Sequence, residues 1–432
     1  MKTGVTLWAC VAGILAGGAT SFLVTAGPLD PPAGPVASTY KTLTEVEPRR
    51  LIGQPTSFPI VIQSPGSYYL ASNIVGVSGQ DGIRITADNV TLDLNGFTVS
   101  GVSGSRAGII SINTRTNVVV RNGGVNGWGH EGVNLLTATA SRVEGVTSYG
   151  NLRDGIAVGN ASVVEGCVAL SNGTNGFQGS SSASFNRCVA RLNANAGFRG
   201  TTNSILRDCI ADTNGTIGQA HHGFFFGSNA VVVSCTSLSN RADGFNLGEG
   251  SQVTASTARS NATGGIVTSG NSVVTQCTAS NNTGSGITVG EQSHVLNSIA
   301  ASNGGVGVFS GNGAYIANNT ARSNTLSGFT VAGSSYVLNN NSLFNGPGAT
   351  IGNGITSAGS DSRYEGNNLV GNDFGLVLSS PGNLILRNST SANGGDGTTD
   401  FSEVSTGNAA GEAIDVRTGG NVGSNGNVNV RY

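Results

Sequence analysis

The chain has 432 residues, 68 of them glycine, and only 10% are charged, for a formal net charge of −2. So few charges exclude an extended, charge-driven disordered chain, and the balance leaves no basic footprint for nucleic acid. Glycine follows no three-residue period and proline numbers only 10, which excludes collagen.

In chain order, the first segment reads "MKTGVTLWACVAGILAGGATSFLVTAG". One lysine precedes an apolar run, and "VTA" ends in a small residue at Ala26. Residues 1–26 are therefore expected to be a secretory signal peptide, which implies a secreted, periplasmic or cell-surface protein. Residues 27–45, opening with "GPLDPPAGPV", read as an extended linker. No later segment is apolar enough to span a bilayer as a helix, so no span is expected once the signal is removed.

Residues 46–81 are expected to cap a repeat that starts at Gly82. A glycine followed by an apolar residue recurs at 82, 108, 132, 155, 176, 197, 223, 244, 265, 286, 307, 328, 354 and 375, and eight of the thirteen gaps are 21 residues. Nine past the glycine come Val164, Phe185, Leu206, Val232 and Val253; fourteen past come mostly Ala or Ser; seventeen past comes Asn, from Asn172 through Asn345. Apolar residues two apart, as in "GITVG", have strand periodicity, and no run carries a helical stripe. A fixed period of this length signals a solenoid. Three short strands and three bends fit in 21 residues, each strand pairing in parallel with its equivalent one coil on. The asparagine column suits a bend, since asparagine tolerates left-handed backbone and stacked amides can bond along the axis. A leucine-rich repeat needs leucines that are missing, and a hexapeptide helix needs a period divisible by six.

The repeat "GITVGEQSHVLNSIAASNGGV" resembles those of the right-handed parallel β-helix proteins, the pectate-lyase-like superfamily. The opening "LTEVEPRRLIGQPTSFPIVIQSPGSYYLASNIVGVSGQDGIRITADNVTLDLNGFTVSG" resembles that of a secreted bacterial group within it, mostly without assigned activity. The resemblance covers residues 43 to 397. It implies an all-β, single-stranded right-handed parallel β-helix of about fourteen coils over 82–397, roughly 65 Å long at ordinary strand spacing, with 398–432 as the C-terminal cap. The superfamily's polygalacturonase signatures and the clustered aspartates of its calcium-dependent lyases are absent, so no catalytic residue transfers by motif.

Cys167, Cys188, Cys209, Cys235 and Cys277 all lie twelve past their glycine, in a column that elsewhere holds Ser256, Ser298, Asn319 and Asn340. Stacked strands hold such side chains parallel at about the 4.8 Å strand spacing, too far apart for a disulfide and too straight for a zinc site. They are expected to be buried free thiols; neither metal nor cofactor is expected. Arg187 with Asp208, and Arg191 with Asp212, are expected to pair on neighbouring coils. The sequons at Asn172, Asn214 and Asn261 belong to the asparagine column and carry no glycosylation meaning.

Chemistry has to come from position. The residue before the repeat glycine is Glu131, Asp154, His222 or Asp243 in four coils, and the residue before that is His130, Arg153 or His221 in three. Stacking puts these on one corner. Trp128 in "GWGHEG" and Phe225 in "GFFFG" are expected beside them. Carboxylates about 5 to 9.5 Å apart serve glycoside hydrolysis, aromatic faces pack on sugar rings, and Arg or His offsets uronate charge. Glu131, Asp154, His222 and Asp243 are the catalytic candidates. Trp128, His130, Arg153, His221 and Phe225 are the substrate-binding candidates. The expected function is binding of polysaccharide or cell-envelope glycan along one face, with cleavage as a lyase or glycoside hydrolase its enzymatic form. The alternative is a non-catalytic structural or adhesive surface protein: polar residues are expected before a bend glycine in any solenoid, and the second five-residue insertion, before Gly354, carries no chemistry.

Overall fold

A computed structural model describes residues 47–55, 57–215, 221–347, 351–394, 400–403, 407–415 and 428–432. The expected signal peptide and linker, and with them Cys10, lie outside the described residues, as does most of the insertion that precedes His221. Arg49–Tyr432 is one unit of the chain, distinct from the residues before it. It is a parallel β-helix in which no described residue is helical.

Each coil contributes three strands. Those beginning just after the repeat glycine form a sheet of sixteen strands, from Ile60–Ile62 to Phe401–Glu403, called here the first face. The other two strands of each coil, such as Val163–Glu165 and Val168–Leu170, form the second and third faces. These two faces join into one sheet because Val118–Asn126 and Arg142–Tyr149 run through both without a break. The stack starts before Gly82: Ile60 pairs with Ile83, and Tyr68 with Leu92. Strands within residues 46–81, the expected N-terminal cap, pair in register with the coils that follow, and the helix has about sixteen turns where the glycine count predicts about fourteen.

The register explains the columns. Ile156 pairs with Phe177, Phe177 with Phe198, Phe198 with Phe224 and Phe224 with Phe245. The five extra residues before Gly223 are therefore absorbed in the corner and leave the strands in step. Like side chains meet inside: the rings of Phe177, Phe198, Phe224 and Phe245 stack with centroids 4.7 to 4.9 Å apart. Such stacking adds to the burial of the rings themselves.

The asparagine column is a continuous buried ladder from Asn151 to Asn393. Each Nδ2 donates to the Oδ1 of the next asparagine at 2.9 to 3.1 Å. That Oδ1 also accepts the backbone N–H of the asparagine before it, as Asn214 Oδ1 does from Asn193. The left-handed residue is not the asparagine, as its backbone tolerance suggests, but the one before it: Ser171, Leu192 and Thr213 have φ of 52°, 55° and 55°. That turn aims the asparagine inward, where its amide satisfies buried backbone groups. Asn172, Asn214 and Asn261, the asparagines of the three sequons, are buried members of this ladder.

The ladder also accounts for the repeat glycine. A Cβ on Gly155 would lie 2.6 Å from Asn172 Nδ2 and 2.7 Å from the carbonyl oxygen of Gly176. Glycine is required there by close approach, with its φ in the ordinary range. The five cysteines are free and buried, as the straight column requires. Burial pushes the Cys277 thiol up to about 11, which suits a small apolar filler. Farther on, the same column becomes a second ladder through Asn319, Asn340, Asn367, Asn388 and Asn429. Arg191 pairs with Asp212 at 3.1 Å as expected, but Arg187 reaches Glu165 on the preceding coil instead of Asp208.

Candidate functional site

The corner before each repeat glycine stacks as the register requires. The backbone N–H of Arg153 donates to His130 O, and that of His130 to Arg106 O. His130, Arg153 and His221 therefore occupy one row, and Glu131, Asp154, His222 and Asp243 the next. The rows hold two clusters. In the first, Arg153 stands 3.5 Å from Glu131 on the preceding coil. In the second, His222 Nδ1 lies 3.2 Å from Asp243 Oδ2. The coils of Asn175 and Ala196 separate them, without a charged group in the same row.

The carboxylates are more engaged than exposed corner residues would be. Glu131 is only 8% exposed and accepts a hydrogen bond from Asn134 Nδ2 at 3.1 Å. Asp154 Oδ1 accepts the Asn175 backbone N–H and its side-chain Nδ2, both at 2.9 Å, and the Thr174 hydroxyl. Asp243 Oδ1 accepts the Gly264 N–H at 2.8 Å and the Thr263 hydroxyl, while its Oδ2 accepts Asn246 Nδ2 at 2.8 Å. Burial acts to raise the Asp243 pKa, but the bonds from His222, Thr263, Asn246 and Gly264 outweigh it and hold the group at about 2. The row has a common structural task. A polar side chain before the glycine accepts the N–H of its equivalent one coil on, as also at Asp81 with Ala107 and Asn175 with Ala196.

Trp128 is a correction. It was expected outside with the sugar-binding residues and is fully buried. Its Nε1 donates to Val99 O at 3.0 Å, and its backbone N–H donates to Asn151 Oδ1 at 3.1 Å. That second bond is the one each ladder asparagine makes, so Trp128 occupies the ladder position one coil before Asn151. The space it fills is left by glycines: a Cβ on Gly76, Gly82 or Gly108 would come within 2.4 to 2.9 Å of the indole. Trp128 stands four residues before Gly132, just as Asn151 stands four before Gly155. Counting back from the following glycine places it inside.

Phe225 is outward and 37% exposed, between the inward Phe224 and Phe226. Its ring stacks on His222, with centroids 5.1 Å apart and planes 19° from parallel. The Arg199 guanidinium lies over the other side of the row, 5.8 Å from the same ring. Arg199 is the register partner of Phe225 one coil earlier. Burial, then the charges of His222 and Arg199, lower the His221 pKa below the usual imidazole value. Arg199, Asn134, Gln178 and Asn246 are site residues that counting from the glycine corner missed. All are the middle residue of a first-face strand, two past the glycine, and period-2 alternation alone marks them as outward. No group of three or more His, Cys, Asp or Glu among the described residues is placed to hold a metal ion.

No family model matches the chain, and no curated protein matches it. Solved structures do. A mannuronan C-5 epimerase A-module from Azotobacter vinelandii is 16% identical, covers 74% of this chain and 90% of its own, and has a TM-score of 0.46. A periplasmic alginate epimerase is 12% identical, with 76% and 78% coverage and a TM-score of 0.35. The catalytic domain of an α-1,3-glucanase solved with nigerose is 11% identical, with 77% and 70% coverage and a TM-score of 0.33. The likeness is slight, and the parallel β-helix stands on this chain's own strand register. These neighbours are named for action on polysaccharides, and their residues are not carried onto this chain.

Proposed function

We propose that this chain binds an acidic polysaccharide along the first face, with Arg199, His221, His222 and Phe225 as the main contacts. One observation carries the reading: an outward aromatic ring stacked on an imidazole, with a guanidinium on the neighbouring coil and a second imidazole at the corner. The ring offers an apolar face to a pyranose, and the cations offset uronate carboxylates. Arg153 extends the positive row toward Glu131. In this reading the protein works outside the cytoplasm, in keeping with the expected signal segment.

Binding is favoured over cleavage. Glycoside hydrolysis needs one carboxyl that gives up a proton near neutral pH. Asp243 is held ionised far below that range, and Asp154 spends one oxygen on three donors. The second reading, a structural or adhesive protein, is favoured by that same engagement, since the carboxylates complete backbone hydrogen bonding between coils.

Affinity electrophoresis through gels containing alginate or polygalacturonate tests the proposal. Phe225→Ala and Arg199→Ala are each expected to weaken retardation about tenfold, the effect of losing one good contact of ~1.4 kcal/mol. Retardation should strengthen only as pH falls below the ordinary imidazole value, because His221 gains its charge there, later than a free imidazole, while uronates keep theirs until their ordinary carboxyl values near ~4. His221→Ala should flatten that dependence. A wild-type protein that neither polymer retards would leave the structural reading in its place.

A further inference from the structure

The second face carries a row of side chains that the first-face reading does not use. His294, Tyr315 and Tyr336, eight residues past their glycines, and Arg363 and Leu384, nine past theirs, stand in register on consecutive coils. Tyr315 is 37% and Tyr336 52% exposed, large values for aromatic side chains on a sheet. Their rings form an outward stair: His294 to Tyr315 is 5.6 Å between centroids and Tyr315 to Tyr336 is 6.3 Å, tilted by 49° and 40°. Past Tyr336 the surface dips into a depression of about 340 Å³ lined by Tyr336, Asp361, Ser362, Arg363, Gly382 and Leu384.

We infer that the second face holds a binding site for a neutral, hydroxyl-rich polysaccharide, laid along the axis over His294, Tyr315 and Tyr336 with one sugar seated beside Asp361 and Arg363. The spacing supports a glycan, because the rings recur once per coil at a repeat close to that of a single pyranose in an extended chain. Each ring can then meet one sugar face, and sequence-tolerant stacking of this kind needs little else. The chemistry of the depression supports it too. An exposed carboxylate and a guanidinium flank an aromatic platform, so an acceptor and donors are both ready for sugar hydroxyls. Charge selects the class. The depression's charged lining is one carboxylate, Asp361, and one guanidinium, Arg363, which is in turn paired with Glu365 at 2.5 Å, so it has no net positive charge. A polyanion gains nothing from such a lining, whereas a neutral polymer loses nothing. The first-face cluster, Arg199 and two histidines beside the ionised Asp243, becomes net positive when His221 is protonated, and its preference for polyanions follows from that.

The test uses the full chain and three neutral polymers, hydroxyethylcellulose, galactomannan and dextran, each cast in a native gel. At least one is expected to retard the wild type. Tyr315→Ala with Tyr336→Ala should weaken that retardation tenfold or more, while the corresponding pair of Phe substitutions should keep it, since phenylalanine retains the platform. Phe225→Ala should leave neutral-polymer retardation unchanged and affect only uronate gels, so the two surfaces succeed or fail separately. Melting curves identify a double variant that has not folded, in which case Tyr336→Ala alone is read. The inference is overturned if no neutral polymer retards the wild type, or if the alanine pair is retarded like it. It is equally overturned if size-exclusion chromatography shows that the alanine pair breaks a dimer, because a second copy then covers this face.

Discussion

Asp243 shows how one side chain can look catalytic in sequence and structural in space. It stands beside a histidine in the preceding coil's corner, a pairing familiar from acid–base sites. Yet its two oxygens accept from Thr263, Gly264 and Asn246, and the His222 Nδ1 that lies 3.2 Å from Oδ2 accepts the backbone N–H of Asp243 itself. These bonds favour the charged form, and the folded-state value of about 2 lies below the ordinary aspartate value of 3.8. The sign of the linkage follows. A carboxyl whose folded value is depressed stabilises the fold above its unfolded value, and that stability is lost as pH falls from about 4 toward 2. With allowance for solvent screening the contribution is on the order of 1 kcal/mol. Thermal melts of wild type and Asp243→Asn should therefore differ most at pH 5 to 7 and converge toward pH 2. Curves that stay parallel over the whole range would show that the charge is not what the neighbours stabilise.

Among the elements, the corner between the third face and the next repeat glycine is the least tolerant of change. Ladder amide, glycine and backbone close on one another there, so each column in the sequence is the reason for another. Asn261→Ala removes the Oδ1 that accepts both Asn240 N–H and Asn240 Nδ2, and removes the donor to Asn282. The lost partners are all buried, so the cost is expected to be roughly 2–4 kcal/mol in denaturant melts, the scale of one or two unsatisfied buried groups. An exposed residue on the same coil, such as Arg259, should cost under about 0.5 kcal/mol when changed to Ala. Equal effects at the two positions would contradict the ladder's role. The ladder was legible as a column of asparagines. That the left-handed turn falls one residue earlier was not, because propensity marks asparagine for either task and only the direction of its side chain separates them.

At the scale of the whole molecule, in-register stacking means that one coil is an exchangeable unit. Deleting residues 265–285, one 21-residue period, joins equivalent positions and should leave a shorter folded β-helix with the same circular dichroism per residue and a cooperative melt. Deleting only 265–284 leaves one extra residue at the corner before Gly286, where the five before Gly223 are absorbed without loss of register, so that product should fold as well; failure of the 21-residue deletion alone would contradict coil exchange. The sequence by itself determined the solenoid, its three strands per coil, the inward columns and the unpaired cysteines. All of these follow from period and alternation, which act identically in each coil. It also placed Glu131, Asp154, His222 and Asp243 in one row, and that row exists. The count back from Gly132 puts Trp128 inside, but only the tertiary structure shows what makes room for an indole there: Gly108 one coil earlier, and Gly82 and Gly76 two coils earlier. Only the structure decided what the carboxylates do. A residue type at a corner fixes its position, but its chemistry depends on which donors the next coil brings within reach, and those donors are set by stacking.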